Sequence, residues 1–260
     1  MSDEKTFELK LLGTGTSTGV PTISCTCPTC VSNDLKDKRL RCSALITYQN
    51  KNLIIDTGPD FRQQFLKYGI KDLNAVLYTH HHFDHIGGFD DIRGINFTSK
   101  GALPIYLNSE TLENLSRIFS YAFRNENETG GGIPMVEVNM ISDGEFQVNG
   151  LKITILPLVH GNLEVLGFRI GDIAYCTDTN FIPESTLELM KDLDVLILDG
   201  LRPKVHKNHG NLDQAIEQAR VIDAKQTYLT HIAHQVKHSL VEEELPKGIN
   251  LAYDGLTIKG

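Results

Sequence analysis

The chain has 260 residues, of which 40% are hydrophobic and 22% charged, so it can bury a core without disulfide bonds. Its 33 acidic and 25 basic residues give a net charge of −8, which argues against non-specific binding to nucleic acids or anionic membranes. The charged start and the absence of a run of 18 apolar residues favour neither a signal peptide nor a membrane span. We therefore expect a cytoplasmic protein.

Strand and helix patterns alternate along both halves of the chain. The first half predicts a strand at 7–12, a hairpin at 43–56, a helix at 61–68, strands at 74–80 and 104–108, and a helix at 110–121. The second half predicts hairpins at 146–158 and 165–178, a helix at 184–191, a strand at 194–200, a helix at 212–222, a strand at 227–232, a short helix at 241–245 and a terminal strand at 251–258. These patterns predict an α/β fold in which two sheets lie face to face with helices outside.

The strongest motif is THHHFDH at residues 79–85, directly after a predicted buried strand. Side chains alternate along an extended segment, so His80 and His82 should point the same way. Asp84 and His85 begin the following turn and can face a second ion. The pattern H-x-H-x-D-H therefore predicts two metal ions, and a histidine-rich surface loop is the alternative interpretation.

Three later residues stand directly after apolar runs, where strands emerge from the core: His160, Asp178 and His231. A single histidine in such a position is commonly an incidental loop residue. Three strand ends that match the needs of one site favour further metal ligands.

These seven residues resemble the metal-binding set of the metallo-β-lactamase-fold hydrolases, and the resemblance extends over essentially the whole chain. It implies a four-layer αββα sandwich in a single domain spanning 1–260. It also implies a first metal on His80, His82 and His160, a second on Asp84, His85 and His231, and a bridging Asp178.

The resemblance assigns roles to other acidic and thiol residues. Asp56, in LIIDTG, matches an early aspartate that orients a ligand histidine in this family, although it also fits a turn former at a strand end. Antibiotic-degrading members carry a cysteine where this chain has Asp178, so the aspartate favours the dinuclear hydrolases. Cys42 and Cys176 are predicted to be core residues.

A second cluster of potential ligands is Cys25, Cys27 and Cys30, with the spacing C-x-C-x-x-C. A closed structural zinc site needs a fourth ligand, and His234, three residues after His231, is the best candidate. We expect this zinc loop to occupy about residues 13–42. Redox-active or incidental cysteines are the alternative.

Four further stretches narrow the resemblance: LLGTGTSTGVP before the cysteines, NHGNLDQAIEQA, LTHIAHQ and ELPKGINLAYDGL. Together they are similar to the branch that contains phosphoribosyl 1,2-cyclic phosphate phosphodiesterase. This resemblance implies a structural zinc held by three cysteines and one histidine, and a catalytic pair of manganese or zinc ions. Members of the branch often form homodimers, which makes a homodimer one possible state of this chain.

Two residues are candidates for substrate contacts. His209 matches a histidine of that branch that assists at the phosphate or the leaving group, and a solvated loop histidine is the alternative. Arg93 can place a guanidinium over a phosphate or form a salt bridge with Asp90 or Asp91. His206 and His238 are assigned to the surface.

The expected activity is that of a phosphodiesterase acting on a small cyclic or diester phosphate. A hydroxide bound by the two metals would attack phosphorus, with Asp84 and His209 as the expected catalytic residues and His209 donating a proton to the departing alkoxide. The expected partner is a small phosphate ester, with no membrane and no nucleic acid.

Three alternatives remain at this point. A ribonuclease Z-like processor of tRNA ends is weakened by the net charge of −8. Thioester or lactone hydrolysis would use the same metals on a carbonyl substrate. A non-catalytic metal-binding sensor would have no need of an open bridging position.

Overall fold

The computed structural model describes residues 7–123, 132–204 and 209–260. The strands in these ranges are β1 (Phe7–Gly13), β2 (Ser43–Tyr48), β3 (Lys51–Ile55), β4 (Ala75–Leu77), β5 (Leu103–Leu107), β6 (Val136–Met140), β7 (Glu145–Val148), β8 (Leu151–His160), β9 (Leu163–Ile170), β10 (Ile173–Cys176), β11 (Val195–Asp199), β12 (Gln226–Thr230), β13 (Ile249–Leu251) and β14 (Thr257–Lys259). They form two seven-stranded sheets, in the orders β14-β1-β2-β3-β4-β5-β6 and β13-β12-β11-β10-β9-β8-β7.

The α-helices of the described ranges are α1 (Phe61–Tyr68), α2 (Phe83–Ile86), α3 (Ile92–Ser99), α4 (Ser109–Ile118), α5 (Glu184–Leu189), α6 (Leu212–Ile222) and α7 (His238–Glu244). Short 3-10 turns cover Leu35–Asp37, Phe89–Asp91 and Ser120–Phe123. Among the described residues, no helix combines the length and the apolar character that crossing a membrane requires.

Three apolar clusters separate four layers. The central cluster joins the inner faces of the two sheets, with Leu9 and Ile46 from the first sheet and Phe168 and Tyr175 from the second, all buried. A second cluster lies between the first sheet and α1, α3 and α4. A third lies between the second sheet and α5, α6 and α7. Each sheet is therefore covered on both faces, and the predicted αββα sandwich is confirmed.

Most strands that lead to the candidate site belong to the parallel part of each sheet, whereas β8, which ends at His160, is antiparallel to β7 and β9. In the first sheet β3, β4, β5 and β6 run parallel, and in the second sheet β10, β11, β12 and β13 do so. The carboxyl ends of parallel strands meet at one edge of a sheet, and loops at that edge collect side chains from several strands. This arrangement brings residues that are distant in sequence to a common edge.

Most predicted elements are present, and the helices at Phe61–Tyr68 and Leu212–Ile222 have the predicted bounds. The sequence patterns missed β6, because this edge strand is largely exposed and lacks a regular apolar face. They also missed α3, whose sequence IRGINFTS contains a glycine and β-branched residues that weaken a helical pattern.

The terminal strand predicted at 251–258 is two strands in different sheets. β13 pairs with β12 in the second sheet, whereas β14 pairs with β1 in the first. Between them Gly255 has φ of 98°, which glycine adopts readily and other residues do not. The apolar pattern is continuous across this turn, so it does not reveal the change of sheet.

His238 is buried, which corrects its predicted surface position; His206 lies outside the described residues. The backbone N–H of His238 donates to Asp37 Oδ1 at 2.8 Å. Its ring Nδ1 lies 2.9 Å from Arg39 Nη2, and because the guanidinium can only donate, Nδ1 accepts. Burial and the charge of Arg39 lower the pKa of His238 to about 4.

We expect this contact to make stability pH-dependent. The pKa of His238 is lower in the folded chain than the ordinary 6.5, so protonation favours the unfolded chain. The contribution of neutral His238 to the free energy of unfolding is complete above about pH 6.5 and is lost as the pH falls toward 4. Urea unfolding of metal-free wild type and His238→Gln between pH 4 and 7.5 measures it. The variant should show a shallower loss of stability over this window, and equal slopes would contradict the assignment.

Candidate metal centre

The first group of the site joins both sheets. It contains His80 and His82, which follow β4, His160 at the end of β8, and Asp178, two residues past β10. One ligand atom from each of the four lies within 4.8 Å of the others. The ring centroids of His80 and His82 are 4.6 Å apart, as the predicted alternation along the extended segment requires.

The second group shares Asp178 with the first. It adds Asp84 and His85 from α2 and His231, which follows β12, again with ligand atoms within 4.8 Å of one another. Asp178 Oδ2 lies 3.6 Å from His80 Nε2, while Oδ1 lies 3.3 Å from both His85 Nε2 and His231 Nε2. One carboxylate thus stands between two clusters, which is the grouping expected from the sequence.

Three residues at the candidate site have left-handed backbone conformations. Asp56, Asp178 and His231 have φ of 62°, 52° and 59°, a region that residues other than glycine adopt at a cost. Each follows a buried strand within two residues. The chain therefore turns sharply at the sheet edge, and the strained residue is itself a member of the site.

Asp56 is fully buried and holds one histidine of the site in place. Its carboxylate accepts hydrogen bonds from the Thr79 N–H and the Thr79 hydroxyl, both at 2.8 Å. Oδ2 also lies 2.7 Å from His85 Nδ1, so Nδ1 carries the hydrogen and Nε2 faces Asp84 and Asp178. This contact favours the orienting role for Asp56 over that of a simple turn former.

Buried carboxylates dominate the electrostatics of the site. Burial would raise the pKa of Asp178, but His231 and His85 hold it well below its usual value. Burial would likewise lower the pKa of His85, but Asp178, Asp84 and Asp56 raise it far above its usual value. Burying carboxylates in a protein interior is costly unless positive charge accompanies them. The site therefore demands cations.

Several histidines of the site have ring nitrogen atoms that are available to bind such cations. Among the described residues, Nε2 of His80, His85 and His231 is buried and has no hydrogen-bond partner. Imidazole nitrogens left in this state next to carboxylates are the donor set of Zn²⁺, Mn²⁺ or Fe²⁺ sites. The residues present thus fit bound divalent cations.

A third group lies at the edge of this site and was found only in part from the sequence. Asp199 ends β11 and is buried, and its Oδ2 lies 2.7 Å from His209 Nδ1 and accepts the Thr179 N–H at 3.0 Å. The ring of His209 lies 4.3 Å from that of His160 and 4.7 Å from that of His231, measured between centroids. His209 is therefore an oriented member of the site, and Asp199 is the residue that sequence reasoning missed.

The signal for Asp199 is present in the sequence. It directly follows the apolar run VLIL, as His160, Asp178 and His231 follow theirs.

The cysteine loop forms a separate group. Sγ of Cys25 and Cys27 lie 3.2 and 3.4 Å from His234 Nδ1, and Cys30 completes a set within 4.8 Å. The N–H of Cys30, directed at Cys27 Sγ, lowers the pKa of the Cys27 thiol to about 6. The Cys27 thiolate therefore forms readily, whereas burial raises the pKa of the Cys30 thiol to about 11. The four residues have the identities of a closed structural zinc site.

The remaining candidates have other environments. Arg93 lies 2.8 Å from Asp90 through Nη2 and donates to the Gly132 carbonyl, so it forms the ion pair that was its alternative role. Cys42 and Cys176 are buried, as predicted for core residues, and burial raises the pKa of Cys42 to about 12.

Residues 51–232 match the family described as β-lactamase superfamily domain. This range includes the first two groups in full. The chain belongs to the β-lactamase superfamily. The metallo-β-lactamase-fold hydrolase expected from the sequence is thereby confirmed, and superfamily membership together with the clusters of histidine and aspartate supports the binding of divalent metal ions.

The chain is also similar to three further proteins. A solved structure of a new diphosphatase from the PhnP family is 41% identical, with a TM-score of 0.92 and coverage of 98% of this chain and 97% of that one. A Porphyromonas gingivalis (strain ATCC BAA-308 / W83) protein named octanoyltransferase is 40% identical over 250 residues, 95% of this chain and 50% of the relative. The chain thus spans about half the length of that relative.

The third is the anti-Pycsar protein Apyc1 of Saccharibacillus brassicae. It is 27% identical over 177 residues, which are 62% of this chain and 69% of that protein. The resemblance to this protein is therefore partial.

The segment at Gly58, after β3, lies close to the backbone of Asp84 in α2. A pair of glycine substitutions tests this close approach. A Cβ added at Gly58 would lie 2.1 Å from the Asp84 carbonyl oxygen, whereas one added at Gly94, inside α3, would meet nothing within 4 Å. We expect Gly58→Ala to lower the free energy of unfolding by about 1–3 kcal/mol because the loops must separate. Gly94→Ala should raise it by about 0.5–1 kcal/mol, because alanine favours a helix.

Urea denaturation of the two variants and the wild type measures both effects. A Gly58→Ala variant as stable as the wild type would contradict the close approach of residue 58 to Asp84.

Proposed function

We propose that the chain is a metal-dependent phosphohydrolase that acts on a small cyclic phosphate or phosphodiester, or on the anhydride bond of a diphosphate. The observation that carries the proposal is the Asp178 carboxylate between two histidine clusters, with the Asp199–His209 pair beside them. The 41% identity to a diphosphatase over nearly the whole of both chains supports phosphorus as the reacting centre.

In this proposal one divalent ion would be held by His80, His82 and His160 and another by Asp84, His85 and His231, with Asp178 available to both groups. Manganese and zinc both suit such ligands. When bound, two such ions neutralise phosphate oxygens and lower the pKa of a coordinated water to about 7. Asp56 keeps the Nδ1 hydrogen on His85 and so keeps Nε2 available as a ligand.

The proton needed by the leaving group is assigned to His209. Hydrolysis forms one bond from a water oxygen to phosphorus and breaks the bond from phosphorus to the leaving oxygen, which then needs a proton. In this proposal His209 delivers the proton from Nε2, and the contact of its Nδ1 with the buried Asp199, at 2.7 Å, supports this role. Because Asp199 is fully buried and accepts two hydrogen bonds, it fixes the direction of the ring.

A third ion, a structural zinc, is assigned to Cys25, Cys27, Cys30 and His234. Unpaired thiols of this kind are suited to a reducing compartment, and on that ground we assign the protein to the cytoplasm.

A second candidate function is acyl thioester hydrolysis. The observation in its favour is the 40% identity to a protein named octanoyltransferase. Half of that relative has no counterpart in this chain, so phosphate chemistry is preferred. The tRNA-processing alternative has only the shared fold type in its favour, against a net charge of −8.

Metal content tests the proposed ions. We expect inductively coupled plasma mass spectrometry to find about three metal ions per chain in the purified protein. Cys30→Ser should lose about one ion and much stability, because the zinc contributes to folding. Asp178→Ala should keep the cysteine-bound ion and lose activity. If Cys30→Ser retained every ion and unfolded like the wild type, the structural zinc assignment would be wrong.

A substrate panel tests the activity. We expect turnover of at least one of cyclic ribose phosphates, 2′,3′-cyclic nucleotides, a dinucleoside diphosphate or bis(4-nitrophenyl) phosphate, in the presence of Mn²⁺ or Zn²⁺. An octanoyl thioester, a lactone and a precursor tRNA serve as the competing arms. If protein shown to hold its metals hydrolysed none of the phosphates but turned over one of the competing substrates, the activity on that substrate would replace the proposed function.

The role of His209 predicts a dependence on the leaving group. His209→Ala should lower kcat by about 10²- to 10⁴-fold for an alkyl phosphodiester, whose alkoxide must be protonated as it departs. The loss should be much smaller for bis(4-nitrophenyl) phosphate, because 4-nitrophenolate departs without a proton. Asp199→Asn should show the same pattern in weaker form. Equal losses of kcat on both substrates would show that His209 does not protonate the leaving group.

A further inference from the structure

The buried hydroxyl of Thr177 contacts the carboxylate that the two metal-binding groups share. Thr177 directly follows β10, precedes Asp178 and is fully buried. Its Oγ1 lies 2.9 Å from Asp178 Oδ1. Although burial would raise the pKa of Asp178, His231 and His85 hold it well below its usual value, so the carboxylate is ionised and can only accept. The Thr177 hydroxyl is therefore the donor of this hydrogen bond.

The surroundings of this hydroxyl direct its hydrogen to Asp178. Because Thr177 is fully buried, bulk water does not compete for the hydrogen. The hydroxyl also contacts the thiol of Cys42, whose pKa burial raises to about 12. A neutral thiol is a weak acceptor, whereas an ionised carboxylate is a strong one. The hydrogen bond to Asp178 Oδ1 is therefore the favoured one.

This hydrogen bond acts on the oxygen that faces the second metal-binding group. Asp178 Oδ1 lies 3.3 Å from both His85 Nε2 and His231 Nε2, whereas Oδ2 lies 3.6 Å from His80 Nε2. A carboxylate turns easily about its Cβ–Cγ bond, because this torsion has broad energy minima. The bond from Thr177 selects the rotation in which one oxygen faces each group. It also leaves a lone pair on Oδ1 for an ion.

Other contacts hold the backbone of this turn. The Thr179 N–H donates to Asp199 Oδ2 at 3.0 Å, and Thr179 Oγ1 lies 3.0 Å from the Val159 carbonyl oxygen. These contacts keep Asp178 at the sheet edge whether or not residue 177 carries a hydroxyl. Loss of the Thr177 hydroxyl should therefore free the rotation of the Asp178 carboxylate and leave the path of the chain in place.

We propose that Thr177 is a positioning residue of the metal centre, whose hydroxyl holds the Asp178 carboxylate in the orientation that serves both ion-binding groups. The inference rests on the proposed function, because it takes these two groups as the sites of two divalent ions. Thr177 acts through Asp178 and is not itself a ligand. Loss of a hydrogen bond to a metal ligand typically lowers metal affinity by about 10- to 100-fold.

Thr177→Val tests the proposal, because it removes the hydroxyl and keeps the shape of the side chain. We expect this variant to bind at least one of the two active-site ions about 10- to 100-fold more weakly than the wild type. Competition with a chelator of known affinity, with the retained ions counted by inductively coupled plasma mass spectrometry, measures the loss without a substrate. The ion assigned to the cysteines should keep its wild-type affinity in the same samples.

Thr186→Val is the matched control. Thr186 is fully buried in α5, and its hydroxyl donates to the Pro157 carbonyl at 2.6 Å instead of to a residue of the site. This variant should keep the wild-type metal affinity. Thr177→Ser retains the donor and should also bind like the wild type, whereas Thr177→Ala should lose affinity. The serine and alanine pair tests the hydroxyl even if Thr177→Val does not fold.

Two results would overturn the positioning role of Thr177. The first is equal metal affinity in the wild type and in the variants that lack the hydroxyl. The second is an equal loss in Thr177→Val and Thr186→Val, because such a loss would come from general destabilisation.

Failure of the proposed function is a separate outcome. If the wild type hydrolyses no phosphate substrate, while Thr177→Val loses metal affinity and Thr177→Ser retains it, the phosphohydrolase proposal fails and the positioning role stands. If the wild type is an active phosphohydrolase and Thr177→Val binds its ions with wild-type affinity, the positioning role fails and the proposed function stands.

Discussion

The buried carboxylate of Asp178 is the constraint on which the rest of the site depends. It lies 3.3–3.6 Å from nitrogens of His80, His85 and His231, which come from both sheets. A carboxylate so buried is stable only in the company of positive charge. The two sheets must therefore hold their edges in a fixed relation, because a small shift between them would separate this carboxylate from one cluster or the other.

The sandwich meets this requirement through packing between the sheets. The central apolar cluster contains large buried side chains from both, including Leu9 and Ile46 on one side and Phe168 and Tyr175 on the other. Close-packed interiors resist displacement, so the layers behave as one body. The last strands of the chain add to this connection, since β13 belongs to the second sheet and β14 to the first. The rigidity of the metal centre is thus a property of the core beneath it.

The sequence predicted the fold and most of the site for a physical reason. Strands that are largely buried leave runs of mainly apolar residues, and the polar residue after such a run marks the sheet edge, as at His160 and His231. The same reasoning did not reveal β6, which is exposed and irregular, or the partnership of Asp199 with His209, which depends on a contact between separate loops. Nor does any local pattern show that His238 is buried, because its environment is supplied by Arg39 and Asp37, about 200 residues away in sequence.

The cysteine group and the metal centre are joined by a short stretch of backbone. His231 and His234 belong to one turn, and Ile232 between them donates its N–H to the Thr14 carbonyl while its own carbonyl accepts the Thr16 N–H. The loop that begins at Thr14 continues into the cysteines, so both ends of the turn are tied to it. A displacement of the cysteine loop would consequently move His231 against Asp178. An ion bound by the cysteines would therefore stabilise the geometry of the metal centre through His231.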